Sequence, residues 1–324
     1  MDLEQLNELV APESGDVEKA ISAALASESV PVRELFAHVS QFAGKRLRPS
    51  LIILVAKALG GEVNDDHIKL GAVIELIHTA TLVHDDILDG ASMRRRVSSV
   101  NSLHGNHVPV LLGDMIYARA FSLSLSLSTT AAARSLANIT QTICQGEIEQ
   151  IFQRNNFQLA EEEYYSIIEA KTASLYKASC ELAAHYGGAS DEVATALGRY
   201  GDTLGIAFQI VDDCLDIVGE ETVVGKSLGT DTQRGKMTLP FIHMAATLGD
   251  ADRKRLKEIF LSHTIENKNE AIGNAFDLRA SVDYALEVAA DYTRTALGEL
   301  DCLADSDYKK ALTGAAEFVL VRKI

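Results

Sequence analysis

Apolar residues in this chain fall in helically spaced runs, and the two most telling runs end in acids. Residues 74–83 (IELIHTATLV) lead directly into His84-Asp85-Asp86-Ile87-Leu88-Asp89. Residues 205–211 (GIAFQIV) lead into Asp212-Asp213-Cys214-Leu215-Asp216. Breakers frame these runs as long helices. Pro49 sits where a first-turn proline belongs, and Gly60–Gly61 closes that element. Asp65 or Asp66 is expected to cap the next helix, which runs to about Asp89 and stops at Gly90. A helix of that length spans ~36 Å at 1.5 Å per residue. Another is expected from near Ser190 through Asp216 to Gly219. Residues 121–128 alternate strictly (FSLSLSLS), which is strand patterning, but helical patterns flank them and no partner strand is identifiable. The segment is therefore expected to be helix.

Composition agrees with helices. The chain has 324 residues, 47% of them hydrophobic, with 5 prolines and no tryptophan. Alanine and leucine are abundant and β-branched clusters few, which favours helix over strand. No linker, low-complexity tract or solenoid-period repeat interrupts it, so one continuous all-α domain over residues 1–324 is expected. Helices this long point to a bundle.

A net charge of −16 argues against sequence-independent nucleic-acid binding, which needs a basic surface. It also means that any phosphate-bearing ligand must be met by local basic groups or by metal ions. The four cysteines form no C-x-x-C pair, and they read as reduced thiols of a cytoplasmic protein. The N-terminus has neither a signal-peptide nor a transit-peptide pattern, and no apolar run approaches the ~18–20 residues that cross a bilayer.

The acid-ended runs carry the chemistry. On a helix, Asp85 and Asp89 share a face, as do Asp86 and Asp89, so the three carboxylates are expected to converge and to need a cation. Magnesium fits that need: it takes one or two carboxylates and completes its shell with water and phosphate. Asp212, Asp213 and Asp216 repeat the spacing. Facing each other across a bundle, the two clusters would cage a diphosphate and stabilise a departing pyrophosphate. One D-D-x-x-D is as well read as a solvated helix end; two, each after an apolar run, are not. Basic blocks follow each cluster: Arg94-Arg95-Arg96 after the first, Gly225-Lys226 and Gly235-Lys236 after the second. Gly44-Lys45-Arg46-Leu47-Arg48-Pro49 opens an earlier helix. Taken singly, each block also reads as a solvated face. His78 lies two turns before Asp85 on the same face; it reads equally as a satisfied core histidine or as part of a binding site.

These pieces, in order from about Gly44 to Lys323, resemble the trans-isoprenyl diphosphate synthases, or polyprenyl synthetases. The resemblance is carried by GKRLRP at 44–49, IHTATLVHDDILD at 77–89, SVN at 99–101, VLLGD at 110–114, QGE at 145–147, KTASLY at 171–176, FQIVDDCLD at 208–216 and GKSLGTDTQRGKMTLP at 225–240. It implies an all-α isoprenoid-synthase bundle with a central active-site cavity. The implied enzyme condenses isopentenyl diphosphate with an allylic diphosphate such as farnesyl or geranylgeranyl diphosphate. Two or three Mg2+ ions on Asp85, Asp86, Asp89, Asp212, Asp213 and Asp216 are implied, with Arg94, Lys171, Lys226 and Lys236 on the allylic diphosphate. Lys45, Arg48, His78 and Arg95 resemble the isopentenyl diphosphate pocket, and Thr172 and Gln209 the groups that stabilise the allylic cation. A homodimer is implied, and peripheral membrane contact at product release is expected. Arg96 departs from the pattern by replacing a glycine, and Pro109 by replacing an alanine, which is expected to shift a helix start.

Product length turns on the room above the first cluster. Ala80 and Thr81, one turn up, are small, and Ile77, Ile74 and Val73 follow. This predicts an open tunnel and a product of about seven to nine isoprene units. Phe121 and Tyr117 on the facing helix read equally as a floor lower down and as plain core. A geranylgeranyl-length synthase, a class I terpene cyclase and a silent partner subunit are the alternatives; the intact second D-D-x-x-D weighs against the last two.

Overall fold

The computed structural model describes residues 3–42, 44, 46–219 and 229–321. Within them the chain is helical apart from one two-residue-stranded hairpin, so the all-α expectation holds. It gathers into two compact units.

The first unit takes Met1–Thr140, Leu175–Gly201 and Leu297–Ala315. Its helices include α1 (Leu3–Ala24), α2 (Val30–Ser40), α3 (Leu47–Ala58) and α4 (Asp65–Leu88). The hairpin β1 (Met93–Arg94) and β2 (Val97–Ser98) follows, then α5 (Val100–His104) and α6 (His107–Ser124). α3 is apolar on all sides and is correspondingly buried: Leu51 through Ala56 have no exposed surface. α4 packs against α1, α3 and α6 and buries Ile74, Leu76, Ile77 and Ala80.

The residue that starts α4 is Asn64, not Asp65 or Asp66. Its side chain accepts the backbone N–H of His67, and His67 Nδ1 accepts the Asn64 N–H in return. A cap must stand outside the helix and reach forward to the third residue, which Asn64 does; the two aspartates occupy the first turn, where the helix dipole favours them. Gly60 (φ 77°) and Gly90 (φ 57°) supply the left-handed stops that the sequence pattern predicts.

Pro109 lies in the first turn of α6 (His107–Ser124). It is the third helical residue, where the missing N–H has no intrahelical acceptor to lose. The alternating 121–128 segment is helical only to Ser124 and then turns.

The second unit takes Gln141–Ser174, Asp202–Ala296 and Ala316–Ile324. α7 (Thr130–Phe152) and α10 (Asp191–Val218) each contribute to both units. α8 (Glu161–Ile168) widens into a π-helical turn over Glu169–Ala173 before α9 (Ser174–Tyr186) continues. Phe157, Phe241 and Phe260 form an aromatic knot, with ring centroids 6.0 and 6.3 Å apart. Truncating either fully buried ring, Phe241 or Phe260, is expected to cost ~3–5 kcal/mol. Among the described residues, no helix is long and apolar enough to cross a membrane.

Candidate active site

The first aspartate cluster closes α4. Asp85 and Asp89 are partly exposed, whereas Asp86 is buried at 1% exposure. Helical geometry explains the split: Asp85 and Asp89 lie ~40° apart around the axis, but Asp86 is ~100° from Asp85. The Asp86 side chain points inward, and its Oδ1 accepts Arg94 Nε at 2.9 Å and Arg94 Nη2 at 2.7 Å. Asn101 Nδ2 bridges the Asp86 and Ala91 carbonyls, and Ser99 Oγ donates to Ala91, so the S-V-N run fastens the loop beyond the helix. The convergence of all three carboxylates is not what forms. Among the described residues, no three His, Cys, Asp or Glu side chains are gathered closely enough to hold a metal by themselves.

Beside α4 the same unit assembles a cluster of arginines around His78. The fields of Arg48, Arg95, Arg94 and Arg46 fall on His78, and burial followed by these charges holds its imidazole well below the ordinary histidine range. His78 is therefore a neutral donor or acceptor at pH 7. The Arg48 guanidinium lies over the Tyr176 ring, 4.2 Å from the centroid, and its buried Nε has no hydrogen-bond partner. Arg95 Nη1 donates to the Phe42 carbonyl at 2.5 Å. Gly44 leaves room for the Arg95 guanidinium, whose tip a Cβ at that position would displace. Arg46, left-handed at φ 50°, is balanced by Glu75 (2.5 Å) and Glu18 (2.6 Å). A buried guanidinium nitrogen without a partner, within a cluster of like charges, fits a bound anion such as a diphosphate.

The hairpin that carries Arg94 and Arg95 turns through Arg95 (φ 50°) and Arg96 (φ 67°). Two consecutive left-handed residues between paired strands make a type I′ turn, in which the second position favours glycine. That is the physical meaning of the departure at Arg96.

In the second unit, a cavity is lined by Tyr164, Lys171, Thr172, Gln209, Asp213 and Lys236, among others. Lys171 and Thr172 stand on the π-helical turn, a geometry that recurs at functional sites. Lys171 is held by Glu147 and by Gln150 Oε1 at 3.0 Å. Lys236 lies 3.3 Å from Asp231. Thr172 Oγ1 donates to Gln209 Oε1 at 2.8 Å, and Gln209 Nε2 donates to Asp213 Oδ1 at 2.8 Å. Asp213 Oδ2 accepts the Tyr164 hydroxyl at 2.7 Å. Burial, with help from Asp231 and Asp212, raises the Asp213 pKa, while the two donors pull it back.

The second cluster splits as the first does. Asp212 is partly exposed, while Asp213 and Asp216 are buried at 4% and 1%. Asp216 accepts Thr230 Oγ1 (3.2 Å) and the Asp231 N–H (3.1 Å), and so caps the short helix Thr230–Gln233. Both clusters end helices whose last turn carries no basic residue, so carboxylates add to the negative pole of each helix dipole. Hard oxygen donors concentrated at such a pole fit a divalent cation.

Lys45 and Lys226 lie outside the described residues. The sequence reading missed Tyr164, Glu147 and Asp231. Asp231 and Glu147 sit within motifs already marked as informative, the 225–240 run and QGE at 145–147; Tyr164 is an ordinary tyrosine, and nothing local sets it apart.

The family model for polyprenyl synthetases matches residues 30–277. Octaprenyl diphosphate synthase of Escherichia coli is 34% identical over 99% of each chain. A decaprenyl diphosphate synthase from Rhodobacter capsulatus superposes with a TM-score of 0.92 at 33% identity, covering 99% of both chains. A polyprenyl synthase from Caulobacter crescentus, solved with calcium and isoprenyl diphosphate, superposes with a TM-score of 0.94 at 32% identity over 100% of this chain and 98% of that one. With likeness running the whole length and the all-α fold in common, this chain belongs to the polyprenyl synthetases, a family of prenyl-transferring enzymes.

Proposed function

We propose that the chain is a trans-prenyltransferase that adds isopentenyl diphosphate to an allylic diphosphate, building an all-trans polyprenyl diphosphate of about seven to nine isoprene units. The observation that carries the reading is the second unit's cavity. There two lysines stand beside a threonine and a glutamine whose oxygens are hydrogen-bonded in series. Lysines suit a diphosphate, and oxygen dipoles suit a cation formed next to it.

Lys171 and Lys236, with Lys226 by resemblance, hold the allylic diphosphate. Asp85, Asp89 and Asp212 offer the reachable carboxylates for magnesium; Asp86, Asp213 and Asp216 stand behind them, with oxygens turned to protein donors. When bound, the metal ions neutralise charge on the diphosphate and on the pyrophosphate that leaves. Arg94, paired with Asp86, keeps that inner carboxylate compensated. Arg48, Arg95 and neutral His78, with Lys45 by resemblance, receive isopentenyl diphosphate. Gln209 and Thr172 present their oxygens to the allylic carbon as positive charge develops. The apolar wall of α4, with Ala80, Thr81 and Ile77, accepts the growing chain and keeps water away.

A homodimer belongs to this reading. On α6, Leu111 (67% exposed), Met115 and Ala118 form an exposed apolar stripe at helical spacing, where a soluble helix would normally be polar. Leu111→Glu followed by light scattering tests it: the mass should fall to that of a monomer.

The activity itself is tested with purified protein, magnesium, farnesyl diphosphate and labelled isopentenyl diphosphate, sizing the dephosphorylated products. A long prenyl alcohol is expected. A stop at geranylgeraniol overturns the length, and hydrocarbon released without isopentenyl diphosphate overturns the reaction.

A further inference from the structure

The buried chain Thr172–Gln209–Asp213–Tyr164 does more than fill space. A glutamine amide has a donating end and an accepting end of almost equal size, so only its partners decide which way it faces. Both Asp213 oxygens accept a hydrogen bond, Oδ1 from the Gln209 amide and Oδ2 from the Tyr164 hydroxyl. With Asp213 Oδ1 2.8 Å from Gln209, the end turned to it is the NH2 group, and Oε1 is turned to Thr172. The Thr172 hydroxyl spends its one proton on that oxygen, which leaves its own lone pairs toward the cavity. The whole arrangement depends on where the Asp213 carboxylate is held. Its second oxygen is held by Tyr164, a buried phenol whose ring packs against Tyr165 at 5.5 Å between centroids. Tyr165 is itself anchored on Glu161 and packs against Tyr292. Tyr164 is thus a rigid post with a single donor, aimed at a single oxygen.

We propose that Tyr164 and Asp213 are positioning residues that lock the facing of the Gln209 amide, so that the oxygens of Gln209 and Thr172, not the amide hydrogens, meet the allylic cation. In this role Asp213 orients the cation subsite and is not a metal ligand. The inference rests on the proposed reaction. If the lock is lost, the amide is free to present its hydrogens, whose partial positive charge opposes the developing cation. The ionisation step slows, while substrate and metal binding are left alone.

The test is a double-mutant cycle of Tyr164→Phe and Thr172→Val, read as kcat and KM. Tyr164→Phe is expected to lower kcat ~10-fold, with both KM values within ~2-fold of wild type. In the Thr172→Val background the same change should cost less than ~2-fold, because the two residues act through one amide. Additive losses, or a rise in KM without a fall in kcat, overturn the proposal. Asp213→Asn gives a second reading by calorimetry, which needs no turnover: farnesyl thiolodiphosphate and Mg2+ should bind with wild-type affinity. A tenfold loss of that affinity would return Asp213 to the metal site and defeat the lock. Should Tyr164→Phe fail to fold, shown by a lost thermal transition, the calorimetric arm still decides. A wild-type protein that elongates no allylic diphosphate defeats the function reading, whereas an active wild type with an additive cycle defeats only the lock.

Discussion

The two aspartate clusters share one spacing and are held in place by different chemistry. In each, the first aspartate is partly exposed and the second is buried. Asp86 is compensated by a full charge, the two-nitrogen grip of Arg94. Among the described residues, Asp213 is met by neutral donors, Tyr164 and Gln209. The third members part as well: Asp89 stays partly exposed at the end of α4, while Asp216 is buried as a helix cap. The same five-residue pattern therefore yields two reachable carboxylates in one place and one in the other. A D-D-x-x-D pattern reports a helix end rich in oxygen, and the neighbours decide which oxygens are offered.

The largest expected effect bears on the reachable members. Asp85→Ala or Asp212→Ala should lower turnover by about three orders of magnitude, measured by incorporation of labelled isopentenyl diphosphate. Near-normal rates in either would sink the division into outer and inner carboxylates.

Asp86→Ala sharpens the comparison from the other side. It leaves Arg94 without its buried partner and should cost ~3 kcal/mol of stability, seen as a shifted denaturant midpoint. A wild-type midpoint combined with lost Mg2+ affinity would move Asp86 to the outer set.

Ala80→Tyr probes the wall above the first cluster. Ala80 has no exposed surface, and a ring there should shorten the product distribution by one or more isoprene units. An unchanged distribution would place the growing chain elsewhere.

The arginine cluster makes a pH prediction. Burial and four arginines depress the His78 pKa from its ordinary 6.5, so the unfolded chain takes up that proton first. The contribution of His78 to stability is complete above about pH 6.5 and is lost as the pH falls below it. His78→Gln should flatten the acid side of a plot of Tm against pH. An unaltered acid limb would mean that the proton uptake occurs at other groups.

The smallest effect is at the hairpin. Arg96→Gly relieves a left-handed side chain and should stabilise by ~0.5–1 kcal/mol, raising Tm by a few degrees. A lower Tm would show that the Arg96 side chain contributes more than its backbone costs.

Much of this was legible in residue order. Apolar period, breakers and composition are local, and they located the long helices and their ends, including Gly60 and Gly90. Asn64 was missed as a cap because two aspartates beside it look equally suitable until the helix start is known. The alternating 121–128 segment was ambiguous because its period is a strand's while its neighbours are helical. Asp85, Asp89 and Asp212 were marked by spacing, and Lys171, Thr172 and Gln209 by resemblance to the family. Their pairings were not: Tyr164 precedes Lys171 by two turns and lies far from Asp213 in sequence, and Glu147 stands on a different helix from Lys171.

What the sequence by itself determined is the helical class and the charged residue types, because period and chemical identity are carried by neighbouring residues. Only the tertiary structure decided which carboxylates face outward, which way an amide is turned and which histidine stays neutral. Those outcomes depend on burial and on a donor within ~3 Å, and both are set by residues that meet only when distant segments pack.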